Sequence, residues 1–552
     1  MLPQFFRFLL PMQNPLGFGA SDFIELALAI VLVAVILARA RILAFARTLA
    51  DRTIPSMLLL AVLPIILRLA LLAHHPIPTP RVADDFSYLL LGDTLAHFRL
   101  ANPEHPMHRF FEGVFVLQDP SWSSIFPLGP GFALAFGELL FRLPWAGVLL
   151  SVGALAALCY WMLRAWITPP WALAGGLLAA LEFGPLSSWM NTYWGGAVSG
   201  IAGCLVFGAL PRLPGKKYAV ALGAGLGLEL LTRPFEFVLL ALIVLLFFVP
   251  VRSLAIAALV LLPAFGITLL QNKQVTGHWT TLPYQLSRYQ YGVPATFTFQ
   301  RNPIPHRSLT VEQQIDYDAQ VAAHGSGTDN FGSYIARLGE RVRYYRFFFL
   351  APLYLALPAF LFALKEPRFI RIAIGLVLFW LGDAFYPYFY PHYIAAAACL
   401  FVLISVKGLE QLGRLSKEAV TLILILCLAH FLFWYGIHLA GNQNLLFATS
   451  GDESWDDINY GDPEGRIAIN NELAKAPGKQ LVFVHYSPQH GAHEWIHNAA
   501  DIDTAPVVWA IDLGPSEDDA LRRYYPDRHA WLLEADAHPP KLTEAPARLQ
   551  LQ

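Results

Sequence analysis

TIPSMLLLAVLPIILRLALLAHHPIPTPRVADDFSYLLLGD (residues 53–93) joins two physical environments in one stretch. Its first half, about 54–73, is apolar and long enough to cross a hydrocarbon core of about 30 Å at about 1.5 Å per residue. The chain leaves that run through Pro76, Pro78 and Pro80. Proline fixes φ and donates no backbone hydrogen bond, so the exit is expected to be extended. The acid pair Asp84-Asp85 then opens a helix expected over roughly 85–98, with Leu89, Leu90, Leu91, Leu95 and Phe98 able to cover one side. Acids at a helix start also serve as plain capping and dipole partners, so the pair has a structural reading beside a chemical one.

The rest of the chain has the same character. Of 552 residues, 56% are hydrophobic and 14% charged, against about 25% charged in soluble proteins. This excludes an ordinary soluble enzyme and a disordered scaffold, because so much apolar surface needs lipid as its solvent. Runs fit to span a membrane, or nearly so, lie at about 22–38, 54–73, 144–163, 171–187, 196–211, 218–233, 235–251, 253–270, 347–364, 370–384, 393–406 and 419–440, about twelve in all. The expected fold class is an α-helical polytopic membrane protein. Gly175-Gly176 and Gly195-Gly196 suit close helix packing. The run at 22–38 reads as a span and not as a removed signal, since four arginines and no small-residue cleavage site follow it. Cys159, Cys204, Cys399 and Cys427 lie in apolar runs and read as packing residues.

Basic residues collect in alternate short connections, at Arg39 to Arg52, Arg164, Arg212 to Lys217, Arg252, Lys365 to Arg371 and Lys407 to Lys417. Such loops face the cytoplasm. A first loop (about 74–143), a second loop (about 271–346) and the tail then fall on the extracytoplasmic side. Residues 1–440 read as a transmembrane domain and 441–552 as an extracytoplasmic domain. In the tail, 481–487, 507–512 and 529–535 read as strands and 516–524 as a helix, a small α/β fold over about 478–540. The net charge of −2 hides an asymmetry: 441–552 hold 18 acids against 8 bases.

Several other residues stand at expected outer ends of spans. Arg233 follows an apolar run, precedes Pro234 and lies three residues before Glu236. It reads as an ion pair, a snorkelling side chain or an anion contact. Arg81 stands beside the acids as a surface charge or a second anion contact. Arg288, Arg301, Arg307, Arg341, Arg343 and Arg346 lie in or beside the second loop, where one is able to close over a ligand. Tyr386 to Tyr393, with His392, form either an interfacial aromatic belt or the wall of a site. Trp189, Asn191, Tyr193 and Trp194 form a similar cluster. An apolar helix expected at 128–141, after Pro127, is short for a span and suits the membrane surface.

Asp84, Asp85 and Tyr88, followed by Pro127 and the helix at 128–141, resemble the first outer loop of GT-C class membrane glycosyltransferases. That class includes the protein O-mannosyltransferases and the bacterial aminoarabinose transferases of lipid A. "SSWMNTYWGGAV" (187–198) and "LTRPFEF" (231–237) are similar to a bacterial branch of these multispan proteins. The resemblance covers about 70–440 and implies a polyprenyl-phosphate sugar donor and a carboxylate of the pair acting near the reacting hydroxyl. It departs at Ser123 to Leu128, where relatives often carry a Lys and a double Pro.

On that resemblance Asp84, the leading acid, is the expected general base of an inverting transfer, with Asp85 assisting or holding it. Arg81, Tyr88, Arg233, Glu236, His392 and Tyr393 are expected around the donor and its phosphate. Trp189, Asn191, Tyr193 and Trp194 are expected as a substrate wall. The acceptor is a lipid, a glycan or a protein, bilayer lipid surrounds the chain, and nucleic acid is no partner. No cofactor is assigned. A divalent metal stays open, since the loop histidines and His490, His493 and His497, spaced as on a helix, offer ligands without a decisive pattern. The expected place is a bacterial plasma (inner) membrane, with the active site outside. The rival readings are a flippase for a lipid-linked saccharide, which needs charges in mid-span such as Glu182, Glu229, Asp383 and Arg68, and an inactive scaffold of the same fold.

Overall fold

The computed structural model describes residues 20–325, 329–441, 462, 464–491 and 493–545. It is mostly helical. Among the described residues, six helices are long and apolar enough to cross a bilayer: Phe23–Ala50, Thr53–Ala70, Pro144–Leu163, Val251–Thr276, Pro391–Leu415 and Lys417–Ala440. Three shorter apolar helices accompany them, Leu128–Phe141, Ala197–Arg212 and Pro234–Leu245. Other expected spans are shorter than a bilayer. The runs at 171–187, 218–233 and 370–384 form Pro169–Glu182, Lys216–Thr232 and Pro367–Asp383. The run at 347–364 divides into three-ten turns, Ala351–Leu355 and Leu357–Lys365, each with a proline in its first turn.

Small residues let these helices meet. A Cβ added at Gly175 would lie 2.4 Å from Leu163, and one at Gly176 would lie 2.5 Å from Leu60. At either place a Cβ would force the facing leucine side chain to move.

The first outer loop forms the helix Ala83–Ala96, strands β1 (Val116–Leu117) and β2 (Ser123–Ser124), and the helix Leu128–Phe141. The C-terminal segment forms a four-stranded sheet from β3 (Lys479–His485), β4 (Val507–Ile511), β5 (Arg528–Glu534) and β6 (Lys541–Glu544). Its order is β4-β3-β5-β6, with β4, β3 and β5 parallel and β6 antiparallel to β5. The helices Arg466–Lys475 and Pro515–Tyr524 accompany it. This sheet rests on the first loop: Leu90, Phe110, Phe111 and Trp122 share a buried cluster with Leu481, Phe483, Val508 and Leu521.

Arg68 shows how the span Thr53–Ala70 is tied to the loop above it. It is fully buried. Its guanidinium donates to Asn191 Oδ1 (2.6 Å), the His75 carbonyl (3.0 Å) and the Pro76 carbonyl (2.9 Å), and lies 4.8 Å from the Trp145 ring. The charge expected in mid-span lies in the last turn of this helix and, so engaged, serves the fold. Arg68→Met leaves three buried acceptors without donors, a loss on the order of 3 kcal/mol. The thermal unfolding midpoint in nanodiscs should drop clearly, and an unchanged midpoint would contradict this role.

Candidate functional site

Asp84 and Asp85 fall in the first turn of Ala83–Ala96 but enter different surroundings. Asp85 is buried, and its Oδ2 accepts from the N–H groups of Arg81 (3.0 Å) and Val82 (3.4 Å) while Oδ1 accepts from Tyr193 N–H (2.9 Å). It both caps its helix and ties it to the segment after the short helix Ser188–Asn191. Asp84 is partly exposed in a deep recess, and among the described residues its carboxylate takes only its own backbone N–H. Burial pushes its pKa up to about 7; Asp85 and Asp316 add to the rise and Arg233 opposes it.

Arg233 stands at the break between Lys216–Thr232 and Pro234–Leu245. Pro234 disfavours helical backbone at the residue before it, and Arg233 is extended, with φ −146° and ψ 90°. Its guanidinium lies 4.6 Å over the Tyr393 ring, and its Nη1 is 3.7 Å from Glu236 Oε1, a loose ion pair. The helix Leu128–Phe141 abuts this break: a Cβ at Gly129 would lie 2.3 Å from Thr232 Oγ1.

Aromatic rings line the space between Asp84 and Arg233. Tyr88 stacks on Phe126 with centroids 4.2 Å apart, and Phe126 meets Tyr284 edge-on at 6.0 Å. Tyr393 stacks on Tyr386 at 5.2 Å and meets His392 at 4.7 Å, while His392 also meets Trp194 at 4.8 Å. His392 is buried, and its Nδ1 has no partner among the described residues. Asp316, in the second-loop helix Val311–His324, closes another side. It accepts from Gln320 Nε2 at 2.5 Å, and Gln320 Oε1 accepts from the Tyr388 hydroxyl at 3.2 Å. Burial pushes Asp316 up to about 7 as well.

Among the sequence candidates, Asp84, Tyr88, Arg233, Glu236, His392, Tyr393 and Trp194 thus gather at one place, with Tyr193 bound to Asp85. Others point elsewhere. Arg81 donates to Glu464 at 2.8 Å. Trp189 is buried against Phe183 and Phe347, both at 5.0 Å, and belongs to the packed interior. Asn191 receives Arg68 and donates to the Pro185 and Ser187 carbonyls. Of the second-loop arginines, Arg307 pairs with Asp119, Arg288 donates to the Pro294 and Ala295 carbonyls, and Arg341 to the carbonyls of Asp383 and Tyr386. The helix expected to carry His490, His493 and His497 does not form at the described residues there. His490 bonds Asp536 (2.7 Å), His493 lies 3.4 Å from Glu464, and His497 packs 5.3 Å from Phe86. No group of three metal-ligating side chains converges among the described residues. Asp316 is the residue the sequence reading passed over. Its helix is signalled by a Thr310-x-x-Gln313 capping box, whose two reciprocal bonds form.

No protein-family model matches the chain, and no curated sequence matches it. Its structure is similar to solved GT-C glycosyltransferases. ArnT from Cupriavidus metallidurans bound to undecaprenyl phosphate aligns over 86% of this chain and 92% of its own, at 12% identity and a TM-score of 0.49. The Archaeoglobus fulgidus oligosaccharyltransferase AglB, in complex with an inhibitory peptide and a dolichol-phosphate, aligns over 87% and 69%, at 12% identity and 0.43.

The bonds of Asp85 carry a testable consequence. Asp85→Ala strips acceptors from three backbone N–H groups and should loosen the loop by about 1–2 kcal/mol. Hydrogen exchange should then quicken at the amides of Arg81 and Tyr193, and protection unchanged at Tyr193 would remove the bridging role.

Proposed function

We propose that this protein is a membrane glycosyltransferase that moves a sugar from a polyprenyl-phosphate donor to a hydroxyl-bearing acceptor on the extracytoplasmic face. One observation carries the reading: a recessed carboxylate poised near neutral pH, free of side-chain donors among the described residues, faces an arginine whose only ion-pair partner among them sits 3.7 Å away. Asp84 accepts the proton of the acceptor hydroxyl as its oxygen bonds to the anomeric carbon. The bond from that carbon to the phosphate oxygen breaks, and the phosphate leaves with the electron pair, against Arg233. Attack opposite the leaving group inverts the anomeric centre.

Tyr88, Tyr393, Trp194 and His392 supply ring faces for the sugar and the first prenyl units, and Glu236 orients Arg233. Asp85 acts through structure by holding the turn. We take residues 1–440 as a transmembrane domain of about twelve spans, some shortened by breaks, and 441–552 as the extracytoplasmic domain. We take the membrane to be a bacterial inner membrane, and the short basic connections support a site that faces outward.

Transfer from polyprenyl-phosphate sugars by the purified protein in nanodiscs tests this. Asp84→Asn should lower kcat by about 10²-fold or more, and undiminished turnover sinks the base assignment. Movement of labelled lipid without a new glycosidic bond would favour the flippase reading.

The pH dependence is set by the same carboxyl. A base must be unprotonated, so with a pKa raised to about 7 the rate should be full above that pH and fall as pH drops through it. A profile flat from pH 5 to 8 would rule Asp84 out as the titrating base.

A further inference from the structure

The C-terminal segment is bonded into the Asp84 region. Glu464 holds Arg81 at 2.8 Å. The ring of Phe86 contacts both the Arg466 guanidinium, at 5.0 Å, and the His497 ring, at 5.3 Å. The N–H of Ala500 donates to Asp93 Oδ2 at 2.6 Å, on the same helix as Asp84.

Glu494 makes the deepest of these contacts. It is 6% exposed, and its Oε1 accepts from Val114 N–H at 3.0 Å. The carbonyl of that same peptide unit, on Gly113, accepts from Gln313 Nε2 of the second loop at 3.1 Å. One peptide of the first loop is therefore gripped from the tail at one end and from the second loop at the other. The next residue, Phe115, has φ 60°, a left-handed backbone that a bulky side chain adopts only when its surroundings impose it. That conformation aims the Phe115 carbonyl at the Ser87 hydroxyl, 2.7 Å away, and at the N–H of Ile125, 3.2 Å away. Ser87 lies three residues after Asp84, on the turn that carries it.

We propose that Glu494 is a positioning residue for Asp84: it holds the Gly113–Val114 peptide, which sets the Phe115 carbonyl, which anchors Ser87 and the catalytic turn. The proposal rests on the transferase reading above. Glu312, Asp316 and Arg466 face Glu494 in its buried site, and burial pushes its carboxyl well above the usual range. The Val114 N–H needs only an acceptor at that place, which a glutamine amide oxygen can supply.

The test compares wild type, Asp84→Asn, Glu494→Ala, Glu494→Gln and Ser87→Ala as full-length protein in nanodiscs, with polyprenyl-phosphate sugar as donor. Glu494→Ala should lower kcat about tenfold with little change in donor KM, the mark of a misplaced reacting group. Its acid limb should move to lower pH, because an Asp84 less buried and less pressed by Asp85 and Asp316 ionises more readily, a gain larger than the weakened help of Arg233 takes back. Glu494→Gln should keep both kcat and profile. Ser87→Ala, which leaves the tail untouched, should reproduce the kcat loss and the profile shift even where Glu494→Ala fails to fold. Wild-type kcat and profile in Ser87→Ala, or Glu494→Gln as impaired as Glu494→Ala, overturns the proposal. No transfer by wild type, or full transfer by Asp84→Asn, instead sinks the reading on which it rests.

Discussion

A guanidinium at the lip of a hydrocarbon layer is costly unless its charge is met, and Arg233 is the charge around which this molecule closes. Glu236 meets it only loosely at 3.7 Å, and the face of Tyr393 supplies a second, softer compensation. Tyr393 is held by Tyr386 and His392, His392 by Trp194, and the break that aims Arg233 outward depends on Pro234 and on the close approach of Gly129 to Thr232. Stretches far apart in sequence converge because one cation needs all of them.

The two adjacent acids show how backbone donors sort chemically identical groups. Asp85 receives three N–H groups, which fix its carboxylate in one orientation. Asp84 receives only its own, so desolvation dominates and its proton is held up to about pH 7. Within the proposed chemistry a base is wanted near working pH and an anchor is wanted fixed in place. One turn of helix supplies both, and the difference lies in which side chain turns back toward Arg81 and Val82.

Local features were legible from sequence where the code is local. The proline exit, the acid helix, the apolar helix at 128–141 and three of the four tail strands stand where periodicity and turn residues put them. The break at Arg233 was legible too, because Pro234 announces it. Spans were harder. Hydropathy measures apolar character, and a run such as 347–364 is apolar whether it forms one long helix or two sets of three-ten turns that still expose Leu355, Leu361 and Phe362; only its prolines betray the difference. Trp189 looked like its neighbour Trp194, yet one fills the interior and the other borders the site, a distinction made by tertiary packing. Asp316 was invisible as a partner of Asp84 because no local signal links residues so far apart. The helix carrying it could be read from Thr310 and Gln313; its destination could not.

Charge placement then constrains how an anionic donor reaches the site. The C-terminal segment packed over the first loop belongs to a tail with 18 acids against 8 bases. The bases nearest the acid helix on that side are engaged: Arg81 and Arg466 both bond Glu464. A phosphate approaching from the outer solution over that tail meets its net negative charge, which is felt over a Debye length of about 8 Å in physiological salt. From the bilayer the order reverses. The helix Leu128–Phe141 exposes Phe132, Phe136, Leu139, Leu140 and Phe141, and Pro234–Leu245 exposes Val238, Leu242 and Leu245. Both helices begin beside Arg233, so an apolar chain lying along them carries its phosphate to the guanidinium without crossing the acidic surface. Under the proposed function, the tail thus favours a lipid-borne anion over the same phosphate in water. It does so by repulsion on one side and by setting Arg233 at the head of two apolar helices on the other.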